Sequence, residues 1–395
     1  MSAEHVQRHV LVLADGLFPF VVGGMQRHSA YVVRFLLQKG YRVTVAHFVN
    51  QGTPVPDRGE VVKALGVDPE VPLNHLCIRF PSMGMMPGHY LKESYACSKI
   101  FFDRLKHDLS AFDFIYSKGF TGWYFVEQRM KGNSSVPPVG VKFHGYEMFQ
   151  QHVGWKGWFE KQMLRSPVKW ITQHADVVFS YGGRITDIIR SIGVPDERIA
   201  EVPSGIERAW CAEEVPQRSG PLRFLFLGRF ERRKGVRDLH DALRDLSPDG
   251  HWLMEFAGPI PASERFASPY VTYHGSVTEK SELMKIMDRC DVLIVPSYAE
   301  GMPNVILEGM ARGLAIAATD VGAVNCLTSY DNGWLIPAPG KENVLKVLQE
   351  VVSTPRELIM QKQRNSLSRV KHSFLWEQIA EVLDQKINLY ATRLV

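Results

Sequence analysis

Short, unbroken apolar runs recur along this chain, and most are followed by a stretch with helical spacing. HVLVLAD (9–15), YRVTVAHF (41–48), FDFIYS (112–117), PVGVKFHG (138–145) and ADVVFS (175–180) mark the first half. PLRFLFLGRF (221–230), WLMEFAG (252–258), VTYHG (271–275), DVLIVPS (291–297) and LAIAATD (314–320) mark the second. A strand that is apolar on both faces must be covered on both, and the intervening helices supply that cover. The alternation predicts an α/β fold with two doubly wound, Rossmann-like parallel sheets facing across a cleft. The expected division is an N-terminal domain over 1–205, a linker over 206–220, a C-terminal domain over 221–373 and a last helix over 374–395.

The chain has 395 residues, enough for two ordinary domains, and its 45% apolar and 22% charged residues suit a soluble globular protein. No run approaches the 18 or more apolar residues of a membrane span, and the N-terminus does not read as a signal peptide. Five cysteines without a C-x-x-C pair fit a reducing cytoplasm. A net charge of +4 gives no reason to expect a nucleic acid partner.

Four stretches carry candidate chemistry, all at strand-to-helix junctions. In DVLIVPSYAEGMPNVILEGMARG (291–313), Glu300 and Glu308 flank a loop in which Asn304 can cap the following helix. A helix N-terminus suits anions, so carboxylates placed there bind hydroxyls or balance a developing positive charge. In GRFERRKG (228–235), Arg229 and Lys234 offer a fork and a point charge for a diphosphate; the plainer alternative is a solvated basic turn. Gly23–Gly24 lets backbone approach a phosphate, or is a flexible loop, and it lacks the G-x-G-x-x-G fingerprint. His144 in FHGYE is a core histidine or a cleft residue.

Together, EGMPNVILE followed by ATDVGA (318–323), GRFERRKG, the glycine loop and His144 resemble the retaining GT-B glycosyltransferases: glycosyltransferase family 4, glycosyl transferases group 1. The resemblance implies a nucleotide-diphosphate sugar, with UDP the expected carrier, as donor substrate. The transferred group would be a hexose or N-acetylhexosamine. Arg229 and Lys234 would hold the diphosphate, helped by backbone N–H groups at Gly24 and at Asn304, Val305 and Ile306, with Gly23, Gly301 and Met302 also against the donor. Glu308 would bind the ribose, Glu300 and His144 the transferred sugar, and the base would lie near His274 and Val277. No D-x-D pair occurs, so no metal and no other cofactor is expected, and retention is expected by front-face attack with Glu300 not a nucleophile. The last helix would return to the N-terminal domain. Four departures stand out: SGIE (204–207) where an Asn-Gly motif is common, Gly309 where Ala is usual, Arg312 where a small residue is usual, and no glutamate in VGAVNCL (321–327).

The expected acceptor is the hydroxyl of a sugar, a glycolipid or another compound, in polysaccharide, lipopolysaccharide or glycolipid assembly. Its recognition falls to PSMGMMPGHY (81–90) and the loop around Ser117–Thr121. The competing classes are a nucleotide-sugar epimerase of the same architecture, which the carboxylate pair argues against, and a non-catalytic relative, which the intact Arg229, Lys234, Glu300 and Glu308 argue against. Donor turnover with and without acceptors separates the three. In 154–174, Trp155, Trp158, Phe159 and Trp170 alternate with Lys156, Lys161, Arg165 and Lys169, and Pro167 is placed to break the helix. This is the composition of an interfacial helix, which gives a cytoplasmic protein peripheral contact with the inner face of a membrane; the alternative is a helix packed into its own domain. An interfacial role predicts that the protein pellets with anionic liposomes at low salt, and a protein left in the supernatant rules it out.

Overall fold

The computed structural model describes residues 7–81, 89–151, 155–247 and 251–393. Its first sheet has seven strands: β1 (His9–Ala14), β2 (Arg42–Val49), β3 (Leu73–Arg79), β4 (Phe114–Lys118), β5 (Val139–Lys142), β6 (Val177–Ser180) and β7 (Ile199–Glu201). They lie in the order β3-β2-β1-β4-β5-β6-β7, and all pairs are parallel. The second sheet has six: β8 (Leu222–Leu227), β9 (Trp252–Ala257), β10 (Val271–Gly275), β11 (Val292–Val295), β12 (Ala315–Thr319) and β13 (Gly333–Ile336). Its order is β10-β9-β8-β11-β12-β13, again all parallel. Each order reverses once, beside β1/β4 and beside β8/β11. The crevices at the carboxyl ends of these strand pairs are where such sheets take ligands.

Strand interiors follow the apolar runs closely; β1 is buried at all six positions. Other elements depart from the sequence reading. The Pro- and Gly-rich stretch after Asn50 holds the helix Arg58–Leu65, started by a capping box in which the Asp57 side chain accepts from the Glu60 amide. The helix Trp155–His174 runs through Pro167 as one element. Within it, Trp170 packs against the domain core, and Arg165 donates to the Met148 carbonyl at 2.7 Å. Two residues expected at a membrane surface are therefore used internally, while the side chains of Trp155, Lys156, Trp158, Phe159 and Lys161 lie outside the described residues. So do 82–88 of the expected acceptor loop. Among the described residues no helix is long and apolar enough to cross a membrane.

The chain crosses between the sheets twice, and the crossings are bonded to each other. Ile206 N–H donates to the Phe374 carbonyl at 2.8 Å, and Trp376 N–H to the Ile206 carbonyl at 3.1 Å. The last helix begins at Trp376, not Phe374, and runs to Arg393. It packs Trp376, Ile379, Leu383 and Ile387 into the N-terminal core with β1, β2 and the helix Gly24–Gln38. Trp376, 3% exposed, meets the rings of His28, Tyr31 and Phe35 at 5.2, 4.9 and 5.8 Å. Truncating such an anchor leaves a cavity that tight surroundings cannot fill, so Trp376→Ala should cost about 3–5 kcal/mol in urea unfolding. A loss below about 1 kcal/mol would contradict this role for the helix.

Candidate active site

The loop after β11 turns sharply before the helix Asn304–Ala311, and it folds Glu300 inward until only 5% of the residue is exposed. A buried carboxylate needs partners. Its Oε1 accepts from Lys234 Nζ at 2.5 Å and from Ser297 Oγ at 2.8 Å. Arg233 Nη1 lies 3.9 Å from Oε2 and 3.5 Å from Glu147, while its Nε pairs with Glu231 at 2.9 Å. Lys234 is therefore bonded to a carboxylate, and Arg233, which had no assigned role, belongs to the cluster. Arg229 turns away to Glu231 at 2.9 Å with its side chain 70% exposed.

This loop touches the N-terminal domain almost backbone to backbone. A Cβ on Gly301 would lie 1.6 Å from the His144 carbonyl oxygen, so only glycine permits the approach. Gln150 closes the same seam, donating to the Glu300 carbonyl at 2.6 Å and accepting from the Glu300 amide at 3.3 Å. Ser204 N–H meets Met302 Sδ at 3.0 Å, and a Cβ on Gly24 would stand 3.4 Å from Asn304 Nδ2. Gly23 is extended, and a Cβ there would meet the Gln26 side chain at 2.2 Å. Gly24, His144, Glu300, Gly301, Met302 and Asn304 thus come together.

Other expectations are corrected. Asn304 does not cap its helix; Pro303 holds that position and no side chain closes the turn. Ile306 is fully buried and its amide donates to the Pro303 carbonyl at 3.0 Å, so it offers a ligand neither group. Val305 packs half-buried on the core. His274 hydrogen-bonds Glu255 at 2.8 Å inside a cluster with Arg289 and does not face the cleft cavity, whereas Val277 lines it.

That cavity, about 370 Å³, opens between the domains, with Arg27 and Tyr31 on one side and Trp210, Val277, Lys280 and Glu308 on the other. Burial pushes the Glu308 carboxyl up to about 7, against the opposing pull of Arg27 and Lys280.

Across the seam, at the β1/β4 crevice, lies a group of buried charges that the strand-by-strand reading missed. Lys118 is 1% exposed and its Nζ sits 2.9 Å from His28 Nδ1. Asp15 accepts from Gln26 at 3.2 Å through Oδ2, while its buried Oδ1 has no hydrogen-bond partner. Burial raises Asp15, with Lys118 opposing, and brings Lys118 down to about 7. Both line a second cavity of about 140 Å³ with His144, Tyr90, Phe120 and Phe143. Tyr181 Oη meets His144 Nδ1 at 2.7 Å, and the buried Nε2 is unpartnered. Burial first, then Lys118 and Lys142, holds the imidazole pKa well below its usual range, so the ring is neutral. The sequence did carry a signal: a charged residue closes β4 and β5 and another follows β1, where apolar strands meet the cleft.

Two family models match the two halves of the chain: Glycosyltransferase Family 4 over residues 22–210, and Glycosyl transferases group 1 over 221–353. The chain belongs to these glycosyltransferases. It is 22% identical to glycogen synthase of Mycobacterium tuberculosis across 60% of this chain and 59% of that protein. It is 31% identical to the putative teichuronic acid biosynthesis glycosyltransferase TuaC of Bacillus subtilis across 29% of this chain and 30% of that protein. The matches thus span less than two thirds of these relatives. In fold it is similar to sucrose-phosphate synthase from Thermosynechococcus elongatus, with a TM-score of 0.75 at 17% identity over 97% of this chain and 99% of that one. HepE from Anabaena, solved in complex with UDP and glucose, gives 0.65 at 14% identity over 97% and 100%. The architecture is GT-B.

Two departures from the family pattern have physical reasons. A Cβ on Gly309 would lie 2.8 Å from Leu293 Cδ2, so this helix packs directly on β11. Arg312 is tied to Asp288 at 2.7 and 2.8 Å and donates to the Trp210 carbonyl at 3.1 Å, which fastens the linker. The Glu308 environment yields a prediction with a definite sign. Its folded pKa stands above the ordinary carboxyl value, so ionisation destabilises the fold as pH rises through about 7. Glu308→Gln should therefore stabilise the free protein by about 1–3 kcal/mol at pH 8 and by nothing below pH 4. Denaturant unfolding at both pH values measures this, and equal effects at both would contradict it.

Proposed function

We propose that the protein is a metal-independent, retaining transferase that moves a hexose or N-acetylhexosamine from a nucleotide-diphosphate sugar to an acceptor hydroxyl in polysaccharide or glycolipid assembly. The observation that carries this reading is the Lys234–Glu300 pair, set at the β8/β11 crevice and pressed against His144 of the other domain. Its carboxylate occupies a lysine that a diphosphate would claim. Donor entry exchanges one anion for another: Lys234 passes to the diphosphate, joined by Arg233, and the released Glu300 accepts hydrogen bonds from the sugar hydroxyls. Arg229 joins only by leaving Glu231, so its part is the smaller one. Glu308 accepts from the ribose diol, with the base against Val277 in the cleft cavity. The likeness to a fold solved with UDP and glucose supports a uridine carrier.

Transfer breaks the bond between the anomeric carbon and the diphosphate oxygen, and the electron pair leaves with the diphosphate, where Lys234 and Arg233 offset the charge. The acceptor oxygen bonds the same face of the carbon, and its proton passes to the departing phosphate oxygen. His144, neutral and held at Nδ1 by Tyr181, presents Nε2 to the sugar. The unpartnered Oδ1 of Asp15 accepts from a neighbouring hydroxyl of the acceptor in the smaller cavity, which orients the attacking oxygen and leaves its own proton for the phosphate; the aromatic rings there cover the face of a sugar acceptor. Peripheral membrane contact through 154–174 remains part of the proposal for lipid-linked acceptors.

A thermal-shift screen of UDP-, GDP- and ADP-sugars should single out one donor, whose turnover rises when acceptor glycosides are added. Asp15→Asn should lower transfer at least tenfold and leave donor affinity and slow donor hydrolysis near wild type. Donor consumed at one rate with or without acceptors, or Asp15→Asn losing donor binding, would overturn these assignments.

A further inference from the structure

The first sheet has a group of ligand-type side chains that the transfer reaction does not use. β2 and β3 are parallel neighbours with His47 opposite Cys77 and Val45 opposite His75. Side chains two apart share a face of a strand, so His47, His75 and Cys77 project from one face of this strand pair. One ligand atom from each lies within 4.8 Å of the others. His47 Nε2 and His75 Nε2 are 2.9 Å apart, and Cys77 Sγ lies 4.0 Å from His47 Nδ1. The Phe48 carbonyl sits 3.3 Å from His47 Nδ1. A proton on that nitrogen satisfies the carbonyl and turns the Nε2 lone pair towards His75, the outer-shell arrangement that orients a metal-binding imidazole. Phe20, stacked at 6.4 Å on the His47 ring, limits its rotation.

We propose that His47, His75 and Cys77 form a zinc site that fastens edge strand β3 to β2, separate from the transfer chemistry. Two imidazoles and a thiolate are a borderline-soft set that suits Zn²⁺ and not Mg²⁺ or Ca²⁺, which take oxygen ligands. Nitrogens bound at about 2.0–2.1 Å in a tetrahedron stand about 3.3 Å apart, so the imidazoles need to open by only a few tenths of an ångström. His47 is buried, whereas His75 and Cys77 on the edge strand are half-buried, which leaves room for water as fourth ligand and a path for entry. Binding releases the thiol proton to solvent, and no electron transfer is involved. The absence of a D-x-D pair, on which no metal is expected, bears only on the donor diphosphate. H-x-C on a strand has no helical or C-x-x-C spacing, and its third ligand comes from another strand.

The test uses the full chain without a histidine tag, treated with chelator and dialysed against limiting ZnCl₂. Metal analysis should find about one zinc per chain in the wild type and at least a tenfold weaker affinity in His75→Ala and in Cys77→Ser. Added Co²⁺ should give a thiolate charge-transfer band that Cys77→Ser abolishes. Unfolding of the metal-free variants at the wild-type midpoint would show that they keep the fold. Zinc uptake that is unsaturable, or equal in wild type and both variants, would overturn the site, whatever the fate of the donor assignment.

Discussion

The working arrangement depends on one close contact, the packing of Gly301 against the His144 carbonyl. Because no Cβ intervenes, the loop after β11 reaches the other domain, and Gln150 fixes both backbone groups of Glu300 at that seam. The residues proposed for the chemistry are gathered around it: Lys234 and Arg233 beside Glu300, His144 and Asp15 across from it, and Glu308 along the helix that follows. The paired crossings at Ile206 and Leu375, with the last helix docked through Trp376, tie the two halves of the chain together. An apolar cluster running from Phe143 and Tyr146 to Met302 and Ile306 makes the seam continuous with the core.

Buried charge is unusually concentrated here. Lys118 and Lys142 are at most 1% exposed, Glu300 is 5% exposed, and the Glu308 carboxyl is raised to about 7. Groups held this way cost stability in the empty protein and would be satisfied more fully by the proposed polyhydroxy, anionic donor. The unpartnered atoms of Asp15 and His144 fit the same account, since both residues line the smaller cavity.

The strands, the parallel sheets and the carboxylate loop were legible in the sequence because each rests on a local pattern: apolar runs, helical spacing, and Gly and Pro at the turns. Partners that depend on the meeting of domains were not. Nothing local shows that Lys234 bonds Glu300, that Arg233 lies beside Glu300 while Arg229 pairs with Glu231, or that Gln150 bridges the seam. Asn304 looked like a cap because its residue type suits one, yet the turn begins at Pro303. His274 was placed by analogy with a strand, while Glu255 on the neighbouring strand β9 claims its ring. The helix Arg58–Leu65 was overlooked although its capping box, Asp57 with Glu60, was there to read.

The central claim is that Glu300 and the donor's diphosphate compete for Lys234. Calorimetric titration with uridine, guanosine and adenosine diphosphates tests it most directly, comparing wild type with Glu300→Ala and Lys234→Ala. The account predicts that the diphosphate preferred by the wild type binds Glu300→Ala more tightly, since the competing carboxylate is gone, and binds Lys234→Ala at least tenfold more weakly. Weaker binding to Glu300→Ala, or unchanged binding to Lys234→Ala, would contradict it.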